Sequence, residues 1–255
     1  MMLSLKNVSK MQRIFEHARK SNQKNKNAIL SISDMSKSFG GVKAVNRCAF
    51  EVMENTITSL IGPNGAGKTT VFNIISGLTK PDAGAIRLEN KNITGFPAHK
   101  IAKSGISRTF QLTKIFRNLS VRDNMLIAKK TSDEEIKNML KSVYFEKSLG
   151  TIASELSYGQ QRLLEIARAL LMPHKLLMLD EPTAGVNPRI RQELRQILKN
   201  LKKDGKTILL IEHDMEFVMD ISDRVIVLNE GRVLREGKPK DIVKDKRVLE
   251  AYLGK

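Results

Sequence analysis

The sequence has a single cysteine, Cys48, no tryptophan, and few aromatic residues, which make up 5% of the chain. One cysteine excludes disulfides within the chain and cysteine-based zinc sites. Apolar runs stay far below the roughly 18 residues of a membrane-spanning helix. Residues 1–26 also lack the apolar segment and cleavage site of a signal peptide. We therefore expect a soluble or peripheral protein of a reducing compartment.

Positive charge dominates the composition: 44 lysine and arginine residues face 27 acidic residues, so the formal net charge is +17. Such an excess suggests a polyanionic partner, either a nucleic acid or the headgroups of an acidic membrane. The lysines are spread over the whole chain, and aromatic residues that would stack on bases are scarce. Two interpretations stay open, a solvated lysine-rich surface and a specific basic patch.

Residues 1–28 are predicted to form a basic N-terminal extension, in which Glu16 is the single acidic residue. Apolar residues recur there at three- and four-residue steps, which is typical of an amphipathic helix. A basic amphipathic helix can lie on an anionic membrane surface. The alternative is a mobile tail, joined to the rest by a polar linker at residues 21–27.

From residue 29 onward, strand patterns alternate with helix patterns. The later strands are continuous apolar runs, which indicate a parallel sheet covered on both faces. Residues 112–160 lack such runs, so we predict an α/β core interrupted by a helical insertion. Strands are predicted at residues 29–35, 49–53, 56–61, 84–88, 106–110, 176–179, 207–211 and 225–228. Helices are predicted at residues 69–76, 133–147, 162–171, 189–203 and 215–221.

A glycine-rich segment between a predicted strand and helix satisfies the phosphate-loop pattern. It consists of Gly62, Pro63, Asn64, Gly65, Ala66, Gly67, Lys68 and Thr69, and Thr70 follows it in the helix. Backbone N–H groups of such a loop wrap phosphates, and the helix N-terminus adds partial positive charge. Lys68 would reach the β- and γ-phosphates, and the Thr69 hydroxyl would bind Mg²⁺. The alternative is a turn that merely connects strand and helix.

Two carboxylates, Asp180 and Glu181, follow the apolar strand at residues 176–179. Asp180 is placed to hold Mg²⁺ through its water shell, and Glu181 to polarise the attacking water. Acidic residues after a strand also commonly cap the next helix, so the pair alone is a weak indication of a catalytic site. Together with the phosphate loop it becomes a strong one.

Two further elements narrow the class. Ser157 and Gly159, followed by Gln160, open a helical run and suggest a second phosphate-binding turn; a plain helix N-cap would need only the serine. His213 follows another buried strand, from which it could contact a γ-phosphate oxygen and position Glu181 and the water. A lone histidine at the end of a strand is usually structural. However, the place of His213 after the phosphate loop, the Ser157 turn and the Asp180–Glu181 pair favours the catalytic role.

This set of motifs resembles an ABC-transporter nucleotide-binding domain from about Leu30 to Gly254. The resemblance implies a P-loop NTPase (RecA-like) core with an antiparallel β subdomain and an inserted α-helical subdomain, all within residues 29–255. It also implies a head-to-tail dimer in which two ATP molecules lie between the phosphate loop of one subunit and Ser157 and Gly159 of the other. By the same resemblance, Gln111 touches Mg²⁺ and water, and Phe39 stacks on adenine.

Tyr158, where glycine is usual, and the pair Val186 and Asn187 resemble one branch, the ATPases of branched-chain amino-acid importers. So do the segments at residues 36–41, 108–111, 212–215 and 251–254. This branch implies integral-membrane permeases, a second ABC ATPase in a homo- or heterodimer, an external solute-binding protein, and a location at the cytoplasmic face of the membrane. Two alternatives are a lipid or lipopolysaccharide exporter ATPase and a nucleic-acid- or ribosome-associated ABC ATPase, although we expect no specific nucleic acid.

Overall fold

The computed structural model describes residues 27–253. The predicted extension at residues 1–28 therefore lies outside the described residues except for its last two, and Ala28 already begins the first strand. The strands are β1 (Ala28–Phe39), β2 (Val42–Met53), β3 (Ile57–Ile61), β4 (Ala83–Leu88), β5 (Lys91–Asn92), β6 (Ile106–Arg108), β7 (Leu176–Asp180), β8 (Thr207–Ile211), β9 (Arg224–Asn229) and β10 (Arg232–Gly237). The helices are α1 (Lys68–Ile75), α2 (Ala98–Lys103), α3 (Val121–Ala128), α4 (Asp133–Ser142), α5 (Tyr158–Leu171), α6 (Pro188–Lys203), α7 (Met215–Ile221), α8 (Pro239–Ile242) and α9 (Lys246–Leu253).

The strands form two sheets. The larger has the order β10-β9-β3-β8-β7-β6 and is parallel except for its edge strand β10. The smaller is antiparallel, with the order β2-β1-β4-β5. The parallel core and the antiparallel β subdomain are thus confirmed.

The central strands of the large sheet explain why the apolar runs are continuous. Every residue of β3, β7 and β8 is buried. In β7, Met178 packs into the core on the side of α1, and its neighbours Leu177 and Leu179 pack into the core on the side of α5 and α6. Because successive side chains point to opposite faces, a strand covered on both faces is mostly apolar, as residues 176–179 and 208–211 are. Strand β3 departs from this pattern, since its Thr58 and Ser59 are buried polar residues.

Several strand boundaries differ from the prediction. Strand β1 was expected to end at residue 35 and β2 to begin at residue 49, yet they extend to Phe39 and back to Val42 and pair as one long hairpin. The added part of β1 is mostly polar and that of β2 mixes polar and apolar residues, and register shifts interrupt the pairing, so a simple alternation is lost. Conversely, the predicted strand at residues 106–110 ends at Arg108, and the edge strands β5 and β10 were missed because their sequences are short or polar.

The helical insertion lies between β6 and β7 and packs on α5. Buried residues Val121 and Met125 of α3 and Ile136 and Leu140 of α4 join the same core as α5. Helix α4 ends at Ser142 instead of residue 147, because Tyr144 adopts a left-handed φ of 56°. Among residues 27–253, none of the helices has both the length and the apolar character that crossing a bilayer requires.

Candidate active site

The phosphate loop connects β3 to α1 at the carboxyl edge of the large sheet. Its glycines allow close backbone packing at positive φ. A Cβ on Gly62 would lie 2.1 Å from the carbonyl oxygen of Leu228, and a Cβ on Gly67 would lie 2.3 Å from that of Ala44. Only glycine avoids such clashes. The glycines therefore allow the loop to pack closely against β9 and β2.

Lys68 lies inside this loop at the start of α1 and is 6% exposed. Its Nζ donates hydrogen bonds to the carbonyl oxygens of Gly62, at 2.6 Å, and Pro63, at 2.9 Å. Burial lowers the pKa of Lys68, and the nearby charge of Glu181 opposes that shift. The loop thus holds a desolvated ammonium group close to a carboxylate, which suits it to neutralise phosphate oxygens.

The three residues predicted to be catalytic meet at one point. Gln111 Nε2 donates to Glu181 Oε2 at 2.9 Å, and His213 Nε2 lies 2.6 Å from Glu181 Oε1. Glu181 itself adopts a left-handed φ of 46° directly after β7, an uncommon conformation that concentrates at functional sites. Each oxygen of the Glu181 carboxylate is therefore oriented by a different loop.

Glu212 joins the loop that follows Glu181 to the loop that carries His213. The sequence analysis did not predict this role. It is 2% exposed and accepts hydrogen bonds from the backbone N–H and hydroxyl of Thr183, at 2.9 and 2.7 Å. It also accepts from the backbone N–H of His213 at 3.1 Å. Burial raises the pKa of Glu212, and these hydrogen bonds oppose the rise. The sequence signal that could have predicted this role is an acidic residue at the end of an apolar strand, directly before His213.

Asp180, the predicted Mg²⁺ residue, is almost fully buried and pairs with an arginine that was not predicted. Arg108 Nη2 donates to Asp180 Oδ2 at 2.7 Å, while its Nη1 donates to Asn73 and Ser76 of the α1 region. Burial raises the pKa of Asp180, and Arg108 opposes that rise. The pair fixes the end of β7 against α1. The sequence signal for this contact was a single arginine at the end of the short strand β6.

The residues present fit a magnesium ion bound together with phosphate. Thr69 is exposed in the first turn of α1 and offers a hydroxyl, Asp180 offers a carboxylate, and Gln111 offers an amide oxygen. Within residues 27–253, no group of three His, Cys, Asp or Glu side chains could hold a metal by itself. Mg²⁺ is commonly bound through one or two protein oxygens, substrate phosphates and water, and this donor set suits that mode.

The second predicted phosphate-binding turn is the N-terminus of α5. Ser157 caps the helix: its Oγ accepts from the backbone N–H of Gln160, and its own N–H donates to Gln160 Oε1. Gly159 is buried, and a Cβ there would lie 2.7 Å from Cγ1 of Ile190 in α6. The turn therefore carries a structural capping box and a packing glycine, in addition to any role toward a ligand.

The remaining predicted residues lie around these elements. Phe39 ends β1 with its side chain 51% exposed, and Lys37 Nζ lies 5.4 Å from the ring centre. Asn64 and Gly65 are exposed at the tip of the phosphate loop. Asn187 caps α6 by accepting from the backbone N–H of Ile190 at 2.9 Å.

The fold and this site define a phosphate-loop ATPase of the ATP-binding-cassette type. The ABC transporter family profile matches residues 45–184. The chain belongs to the ABC transporter family and is one of its ATP-binding, ATP-hydrolysing subunits.

Three relatives align with this chain over most of their length. The high-affinity branched-chain amino acid transport ATP-binding protein BraF of Pseudomonas aeruginosa is 40% identical, with 89% of this chain and 98% of that protein covered. LivG of Escherichia coli, of the same description, is 41% identical over the same shares. The lipopolysaccharide export ATP-binding protein LptB of Acidithiobacillus ferridurans is 34% identical, with 89% and 97% covered.

Solved structures agree with the fold. A nucleotide-free ATP-binding cassette from an ABC transporter superposes with a TM-score of 0.82 at 32% identity, covering 89% of this chain and 100% of that one. The cassette MJ0796, solved as a dimer, superposes with a TM-score of 0.75 at 27% identity, covering 82% and 98%.

Proposed function

We propose that this chain is the ATPase subunit that energises uptake of branched-chain amino acids through a membrane permease, at the cytoplasmic face of the membrane. The observation that carries the enzymatic part is the Glu181 carboxylate, held by Gln111 on one oxygen and His213 on the other. The cargo assignment rests on the similarity to BraF and LivG.

ATP binding uses the phosphate loop and α1. Backbone N–H groups of residues 64–69 at the N-terminus of α1 would bind the phosphates, and Lys68 would exchange its loop carbonyls for phosphate oxygens. Phe39 stacks on adenine at the exposed end of β1. Thr69, and Asp180 through water, would hold Mg²⁺, which would neutralise negative charge on the phosphates.

Hydrolysis uses the group around Glu181. Water attacks the γ-phosphorus in line while the bond to the β,γ-bridging oxygen breaks, so that ADP leaves and Glu181 accepts the proton of the water. His213 keeps the carboxylate oriented and would contact a γ-phosphate oxygen, and the Gln111 amide oxygen would be available to Mg²⁺ and the water. The contribution of the protein is therefore positioning and electrostatic stabilisation, as is usual in phosphoryl transfer.

We further propose that the working unit is a head-to-tail dimer. The capped N-terminus of α5, with Ser157, Gly159 and Gln160, would contact the nucleotide held by a second ABC subunit, either this chain or a sister. A similar cassette solved as a dimer supports a dimeric working unit. The remaining partners would be permease subunits and an external solute-binding protein.

A lipopolysaccharide exporter ATPase is the second candidate, supported by the similarity to LptB. The lower identity of that relative and the segment at residues 108–111 favour the amino-acid importer. The nucleic-acid-associated alternative rests only on the net charge of +17.

A Glu181→Gln variant tests the proposal, because it should bind ATP but hydrolyse it poorly and so trap the closed assembly. It would be purified with ATP from detergent-solubilised membranes beside Glu134→Gln, an exposed position on α4, and its companions identified by mass spectrometry. Recovery of permeases with a branched-chain amino-acid-binding protein supports importer function. Recovery of lipid-export components, or of ribosomal proteins without permeases, refutes it.

A further inference from the structure

Three side chains on one stripe of α5 hold the backbone of the loop at residues 110–114. Arg162 donates from Nη1 to the carbonyl oxygen of Phe110 at 2.7 Å and from Nη2 to that of Gln111 at 2.5 Å. Glu165 accepts from the backbone N–H groups of Lys114, at 3.0 Å, and Phe110, at 3.4 Å. Arg168 donates to the carbonyl oxygen of Lys114. We name Arg162, Glu165 and Arg168 the α5 clamp.

Helix stability alone does not explain this arrangement. Arg162 and Glu165 do form an ion pair at 2.9 Å, with side chains 0% and 3% exposed. A buried ion pair contributes little net stability compared with well-packed apolar residues. Most of its hydrogen bonds instead satisfy the backbone of a loop that has no strand or helix partners. The clamp therefore determines where that loop lies relative to α5.

The two ends of this connection are both functional positions. At one end, the loop carries Gln111, whose side chain donates to Glu181 at 2.9 Å. At the other end, Arg162 Nη2 also donates to the Tyr158 hydroxyl at 3.2 Å, within the N-terminal turn of α5. One fully buried guanidinium thus joins the turn to the carbonyl of the residue that orients Glu181.

Tyr158 adds a third connection. A Cβ on Gly185 would lie 3.3 Å from its ring, so the ring packs on the segment that follows Glu181. A glycine, which is usual in the family at position 158, could make neither the ring contact nor the hydroxyl bond. Tyr158 therefore connects the turn to the loop of Gln111, through Arg162, and to the segment at Gly185 that follows Glu181.

We propose that the α5 clamp couples the position of the turn at residues 157–160 to the contact between Gln111 and Glu181. A nucleotide held against that turn by a second subunit would then adjust the carboxylate in the site of this chain. The inference rests on the proposed function, in which the turn faces the nucleotide of a partner. Arg162 and Tyr158 are positioning residues in this scheme, since they act through Gln111.

The test compares Tyr158→Phe and Glu165→Gln with Tyr144→Phe, an exposed tyrosine of the helical insertion. Tyr158→Phe removes one hydroxyl from a half-exposed site and should fold normally. We expect amide hydrogen exchange at residues 110–114 to quicken about fivefold, the effect of losing one modest hydrogen bond. We expect kcat to fall by a similar factor with KM for ATP within about twofold, because the phosphate loop is untouched.

Glu165→Gln should show the same changes more strongly, and Tyr144→Phe should show neither. Unchanged exchange and kcat in Tyr158→Phe would overturn the coupling. A lower kcat with unchanged exchange would also overturn it, since Tyr158 would then act directly on a ligand or partner. Faster exchange with a normal kcat would show that the loop position does not matter for hydrolysis. If the wild-type chain hydrolyses no ATP, the proposed function fails, and the exchange comparison still decides whether the clamp holds the loop.

Discussion

Gly159 provides a direct way to separate packing from ligand contact in the turn that begins α5. In the family arrangement, a glycine here leaves room for a nucleotide. In the structure, the direction of its missing Cβ is already occupied, since a Cβ would lie 2.7 Å from Cγ1 of Ile190. The side chain of an alanine would thus point into the contact with Ile190 of α6. We predict that Gly159→Ala acts mainly through Ile190.

The expected magnitude follows from two opposing effects. Overpacking a filled contact costs about 1–3 kcal/mol, whereas alanine in a helix is favoured over glycine by about 1 kcal/mol. Gly159→Ala should therefore lower the free energy of unfolding by roughly 0–2 kcal/mol. Ile190 is 8% exposed, and Ile190→Ala should cost about 2–4 kcal/mol. In that second background the clash disappears, so Gly159→Ala should become neutral or stabilising by up to about 1 kcal/mol.

The assay is a double-mutant cycle on urea unfolding, followed by ATP hydrolysis of the four proteins. We expect a coupling of about 2 kcal/mol between the two positions and ATPase activity in the double variant equal to that of Ile190→Ala alone. Additive stabilities would refute the packing argument. A stable double variant that is inactive, while Ile190→Ala is active, would instead show that the glycine is needed for the nucleotide.

Three other perturbations follow from the site. Arg108→Met leaves Asp180 buried without its partner, so the free energy of unfolding should fall by about 3–5 kcal/mol, measured in urea. His213→Ala removes one of the two groups that orient Glu181, and kcat for ATP should fall roughly 10²–10⁴-fold with a smaller change in KM. Glu212→Gln tests pH dependence: burial raises the folded pKa of Glu212 above its ordinary 4.5. Its protonated form therefore stabilises the fold below about pH 4.5, and that contribution is lost as pH rises through the folded pKa. The stability advantage of the wild type over Glu212→Gln should accordingly shrink with rising pH.

Each of these has a matched control in the chain. Arg122→Met breaks the Arg122–Asp133 pair at 2.6 Å, whose side chains are 46% and 47% exposed, and it should cost no more than about 1 kcal/mol. His99→Ala replaces an exposed histidine on α2 and should leave kcat unchanged. Glu134→Gln, at an exposed carboxylate, should change the free energy of unfolding by no more than about 0.5 kcal/mol. Equal effects in a variant and its control would contradict the corresponding prediction.

The sequence by itself determined the class of chemistry and the central architecture. The phosphate loop is a local pattern, because its glycines and lysine lie within residues 62–69 and the helix that follows supplies the anion site. The parallel core could also be predicted from local sequence, since residues 176–179 and 208–211 are continuous apolar runs. The roles of Gln111 and Phe39 came from resemblance alone, as neither residue carries a local signal for its contacts.

The tertiary structure alone decided which side chains support the site. Arg108 meets Asp180, 72 residues away, and Arg162 meets the carbonyl of Phe110, 52 residues away. Sequence patterns report the period and punctuation of nearby residues, whereas these contacts depend on which strands neighbour each other in the sheet and where α5 crosses the loop. Gly159 shows the same limit: its sequence pattern suggested a phosphate-binding turn, and only the fold shows that Ile190 occupies the direction of its Cβ.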